Sequence, residues 1–165
     1  MDMLRQQLLL KDDHYIPELA NGDTRDHARS ARVSATSGMP DGIIDGIARQ
    51  VGDCVHGWVS DRSQPLPQAV RLDFPKPVNA HEVRLTFDTD LTPMRVKVRM
   101  PKCLAKVYRV EGLAGGTWRT LAEEQENFLR HRVHPFPEME ITALRVTVEA
   151  TWGDPSARLF EVRVY

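Results

Sequence analysis

The stretch Val83-Arg84-Leu85-Thr86-Phe87-Asp88 alternates apolar and polar side chains without a break. A period of two sends successive side chains to opposite faces of a strand, so Val83, Leu85 and Phe87 share one face. The same pattern recurs in Val70-Arg71-Leu72-Asp73-Phe74 and in Val96-Lys97-Val98-Arg99-Met100. It recurs again in Leu144-Arg145-Val146-Thr147-Val148-Glu149 and Phe160-Glu161-Val162-Arg163-Val164. Strands charged on one face are wet on one side, which is the signature of antiparallel sheets. No amphipathic helix pattern separates them, so the expected architecture is an antiparallel β-sandwich. Its expected core holds Val70, Leu72, Val83, Leu85, Val96, Val98, Leu144, Val146, Phe160 and Val162. Turns are expected at Pro75-Lys76-Pro77, Thr92-Pro93, the glycine-rich run 112–116 and Gly153-Asp154-Pro155.

Composition agrees. Of 31 Val, Ile and Thr residues, only Ile16 and Thr24 precede residue 31, so the β character belongs to the body of the chain. The first 14 residues instead have helical spacing, with Leu4 and Leu8 on one face, and Pro17 ends the run. A helix this short is marginal alone in water and needs a neighbour. Residues 1–27 are therefore expected to be a connector with a short N-terminal helical extension, and residues 28–165 the sandwich. Leu8-Leu9-Leu10 is too short for a signal-peptide core, so no signal peptide is read and the compartment stays unassigned. A net charge of −1 argues against a dedicated nucleic-acid binder. No run of 18 apolar residues exists to span a membrane.

The sequence nominates little chemistry. Nucleotide-binding glycine fingerprints, nucleophile elbows and zincin motifs are all missing. Cys54 and Cys103 read as unpaired thiols. His131 and His134 are three apart on a strand, hence on opposite faces, and make a poor metal pair. Trp58 and Trp118 read as core or inter-sheet packing. Trp152, beside Gly153-Asp154-Pro155, is the candidate ligand-binding aromatic.

From about residue 28 onward the order of features resembles the F5/8 type C (discoidin-like) modules, a group of galactose-binding-like jelly-roll sandwiches. The carrying residues are Ile43-Ile44-Asp45-Gly46, Trp58-Val59-Ser60, the strand 68–74, Lys106-Val107-Tyr108, Gly116-Thr117-Trp118 and Phe160-Glu161-Val162-Arg163-Val164-Tyr165. A narrower resemblance, through residues 8–17, 85–90, 130–134 and 156–161, is to the C-terminal domain of bacterial FAD-dependent oxidoreductases. The flavin fingerprint itself is missing from the chain.

The broader resemblance implies a structural calcium, with Asp45 and Glu161 as the metal residues, since carboxylate oxygens suit that ion. Two departures stand against the family pattern. Arg49 falls in the stretch after Asp45-Gly46, and Val59 stands where sugar-binding members frequently carry His. The resemblance implies no catalysis. The expected function is a non-catalytic accessory domain, the C-terminal part of a larger FAD-dependent oxidoreductase, packing against its upstream catalytic domain or a partner protein. The alternative is a carbohydrate-binding, lectin-like module for an external glycan.

Overall fold

The computed structural model describes residues 22–51, 54–90 and 100–165. Nine strands run through these residues: β1 Arg32–Ala35, β2 Gln50–Val51, β3 Cys54–Val55, β4 Trp58–Val59, β5 Gln68–Phe87, β6 Ala105–Ala114, β7 Thr117–Glu124, β8 His131–Thr151 and β9 Arg158–Val164. Two single 3-10 turns, His27–Ser30 and Asp41–Ile44, are the helical elements among them. Every pairing is antiparallel, as the alternation requires.

The sandwich is one sheet folded on itself, in the order β4-β9-β5-β8-β6-β7, with β1 also on β5 and the hairpin β2–β3 apart. The fold lies in β5 and β8, which are 20 and 21 residues long and serve both layers. In one layer residues 68–73 of β5 pair with β8 and β1; in the other, residues 83–87 pair with β8 and β9. The β5–β8 register breaks between Asp73 and Val78 and again between Ala80 and Glu82. The first break contains Pro75-Lys76-Pro77, expected to be a turn. Neither proline has an N–H to give to a ladder, so the strand loses its partner there and continues as a bend. By contrast, the expected glycine loop is a two-residue hairpin: Gly115 and Gly116 have φ +56° and +78°, between the paired Ala114 and Thr117.

The layers meet over Val70, Leu72, Val83, Leu85, Val110, Leu144, Val146 and Val162, all buried. The Phe87 ring of one layer lies 4.9 Å, centroid to centroid, from Tyr108 of the other. The Tyr108 hydroxyl shares a 2.8 Å hydrogen bond with His134 Nε2 beneath it.

Two further sequence expectations are corrected. Phe160 is only half-buried: the β5–β9 register shifts between Thr86 and Phe87, whose partners are Glu161 and Leu159, so Phe160 is skipped and Leu159 enters the core. Trp118 is not in the core either. On edge strand β7 it lies against the guanidinium groups of Arg145 (4.4 Å) and Arg71 (5.4 Å). Asp26 and Ala28, on either side of His27, are buried, and Ala28 belongs to the core. Val96, Val98 and the expected N-terminal helix lie outside the described residues.

Candidate functional site

The two ends of the sandwich differ. At one, the seam pole, β5 and β8 cross between layers, and the chain end docks through His81 and Glu82 N–H groups on the Tyr165 carbonyl, at 2.6 and 3.0 Å. The other, the loop pole, gathers described residues that follow β1, β4, β5, β7 and β8. Backbone hydrogen bonds stitch them together: Ser60 N–H to the Ala157 carbonyl (2.9 Å), Asp154 N–H to Lys102 (3.0 Å), Trp152 N–H to Leu104 (3.1 Å) and Asn127 N–H to Lys106 (2.9 Å).

Asn127 is the centre of this pole. It is fully buried. Its side-chain amide donates to the carbonyls of Ala105 and Leu129, each at 3.0 Å, and its Oδ1 accepts the Leu129 N–H at 3.0 Å. Its own carbonyl accepts the indole N–H of Trp152 at 2.7 Å. A buried amide with each polar atom bonded fixes the loop around it. The next residue, Phe128, is consequently held outward, 62% exposed, with Leu129 exposed beside it. Trp152, the aromatic singled out from sequence, packs on the core and carries the Lys106 ammonium 4.6 Å from its ring centre. Its position makes it a strut beneath the loop that presents Phe128.

Sequence reasoning passed over Phe128. The available signal was Asn127-Phe128-Leu129, two large apolar residues in a segment with no strand alternation.

Beside this loop, Arg158 bridges two carboxylates, Asp88 at 3.4 Å and Asp154 at 3.1 Å. The pole therefore presents an exposed aromatic flanked by fixed hydrogen-bonding groups. Met39 and Val55 are the other strongly exposed apolar side chains of this region.

Asp45 and Glu161 have partners of their own. Asp45 follows the 3-10 turn Asp41–Ile44; its Oδ1 accepts the Ile47 N–H at 2.8 Å and its Oδ2 lies 2.6 Å from His56 Nδ1. Glu161 is buried on β9 and lies 2.9 Å from the Arg163 Nε. Among the described residues no group of three or more His, Cys, Asp or Glu side chains gathers where it could hold a metal ion. His131 and His134 separate as strand geometry requires, the first exposed and the second buried. Cys54 and Cys103 are both free thiols, and burial pushes the Cys103 thiol up to about 11.

No family model matches the sequence, and no curated protein matches it significantly. Solved structures do match the fold. A family 32 carbohydrate-binding module from C. perfringens NanJ, in complex with galactose, superposes with a TM-score of 0.66 at 17% identity, covering 84% of this chain and 96% of that one. The family 32 module of Streptococcus pneumoniae EndoD gives 0.67 at 16%, covering 85% and 98%. A chitosan-binding module from a chitosanase/glucanase of Paenibacillus sp. IK-5, in complex with chitotriose, gives 0.65 at 17%, covering 84% and 98%. The chain thus has the discoidin-like, galactose-binding-like β-sandwich fold that its sequence resembles.

Proposed function

We propose that the chain is a non-catalytic carbohydrate-binding module whose loop pole takes the glycan. The observation that carries this reading is the rigid outward presentation of Phe128 by Asn127. A sugar ring has an apolar face of C–H groups and a polar rim of hydroxyls. An exposed aromatic ring covers the first, and fixed carboxylate and guanidinium groups bond the second. Asp88, Asp154 and Arg158, joined at the same pole, offer such groups. Fold neighbours solved with galactose and with chitotriose support the same reading.

The accessory role beside a flavin domain rests in part on residues 8–17, outside the described segments, and the neighbours' ligands favour the glycan over it. Trp152 serves the proposed site from below, through its hold on the Asn127 carbonyl.

The test is a glycan array on the full chain, followed by titration of the best ligand against Phe128→Ala. Phe128 is mostly in solvent, so this variant should melt with the wild type while losing most of its binding. No binding to any glycan, or full binding by Phe128→Ala, would overturn the reading.

A further inference from the structure

We infer that the Arg130 guanidinium takes the place of the structural calcium implied by the fold, fastening the loop after Asp45 to the sandwich. The residues expected to hold that ion do not fit it. Calcium takes six to eight oxygens at about 2.3–2.6 Å. Here both Asp45 oxygens face donors from the chain, the Ile47 N–H and His56 Nδ1. The Ala48 carbonyl, on the same loop, accepts Arg130 Nη2 at 2.5 Å. Glu161 lies against Arg163, and only its Oε1 is buried without a partner. One unbonded oxygen is far short of a coordination shell.

Arg130 is built for the task from root to tip. Its main-chain carbonyl accepts the Phe87 N–H at 2.8 Å, which anchors the residue at the end of β5. Its guanidinium lies 5.5 Å from the centre of the Phe160 ring. That ring is available because the β9 bulge removes it from the core. Beyond the ring the guanidinium reaches Ala48, 82 residues away in sequence. A delocalised, permanently charged plane can stack on a ring and donate to a carbonyl at once, which an ammonium does poorly. The bulge, the ring and the cation thus form one device, and it joins the same loop that a metal would join.

The experiment is thermal melting of the full chain in chelator and in excess calcium chloride, for the wild type and Arg130→Met. Methionine keeps an unbranched apolar stem on Phe160 and removes the charge and the donors. The wild type should melt identically in both buffers. Arg130→Met should melt about 3–6 °C lower in both, as expected for a loss of one or two kcal/mol in a domain of this size. A wild type that melts several degrees higher in calcium would overturn the inference, as would Arg130→Met melting with the wild type. Should Arg130→Met fail to fold, hydrogen exchange of the wild-type amides at 45–51 decides the matter. Unchanged protection on adding calcium supports the guanidinium as the clasp, and protection gained with calcium refutes it.

Discussion

Asp26 Oδ1 accepts the N–H of Val164 at 3.0 Å, joining two residues 138 positions apart. The same oxygen accepts the Ala28 N–H at 3.0 Å and so caps the 3-10 turn His27–Ser30. One carboxylate thereby starts the sandwich and secures its last strand. Burial raises its pKa above the ordinary carboxylate value, although the two backbone donors pull the other way.

Asp26→Ala leaves the buried Val164 N–H without this acceptor and should cost about 1–3 kcal/mol in a denaturant melt. Asp26→Asn keeps an oxygen for both donors and removes a buried charge, so it should cost far less. The pH dependence separates the two effects. A carboxyl with a raised folded pKa destabilises the fold while ionised, and that penalty is relieved as pH falls through the folded value. Asp26→Asn should remove this contribution. Identical pH–stability curves for wild type and Asp26→Asn would show that the charge carries no penalty.

Leu85 is fully buried between the layers. Leu85→Ala leaves a cavity that close-packed neighbours cannot fill, and urea unfolding should register a loss of about 2–5 kcal/mol. A loss below 1 kcal/mol would mean that the two layers are not packed together at this point.

Acid should weaken the fold through two histidines. Burial lowers the pKa of His134, beneath Tyr108 and near Arg132 and Glu124. His131 keeps an exposed edge, but partial desolvation first, then Arg163 and Arg84, lowers its pKa, with Glu161 opposing. An unfolded histidine titrates near 6.5, so below that value the unfolded chain binds protons that the folded chain refuses. Stability is therefore intact above about 6.5 and declines as pH falls toward the depressed folded values. His134→Gln retains a hydrogen-bonding partner for Tyr108 and should flatten this decline. A melting temperature independent of pH across the window would contradict it.

Asn127→Ala removes three side-chain hydrogen bonds from the loop pole. The Ala105 and Leu129 carbonyls lose their donor, and stability should fall by about 1–3 kcal/mol. If the loop presents Phe128, glycan binding should fall as well; the Trp152 indole bonds the main-chain carbonyl of residue 127, which alanine keeps, so the strut itself stays in place. A variant as stable as the wild type would show that the loop does not depend on the Asn127 amide.

The layered fold was legible because Val70, Leu72, Val83, Leu85, Leu144 and Val146 alternate with charged neighbours, and burial enforces that register over any slip. The continuity of β5 was not. Pro75 and Pro77 look like a turn because proline breaks ladders, yet a strand that changes layers also needs a place where the ladder breaks. Phe160 was misread for a related reason: a bulge shifts the period of two by one residue and leaves no mark in composition. At the loop pole, Trp152 was visible as an aromatic beside a glycine turn. Phe128 left only a faint trace, two apolar residues outside any alternation, because its exposure depends on the bonds of buried Asn127, which only the assembled fold brings together. Asp45 and Glu161 entered through a resemblance, while Arg130 entered only within the stretch 130–134 that carries the narrower one, with no role of its own.

The bond between Asp26 and Val164 has one more consequence. It sets the first and last residues of the sandwich side by side at the seam pole, with Tyr165 held there by His81 and Glu82. Any polypeptide joined before Asp26 or after Tyr165 attaches at that pole, as a stalk attaches to a cup. Phe128 and its surrounding loops then face away from the attachment, toward whatever lies a full domain length beyond it.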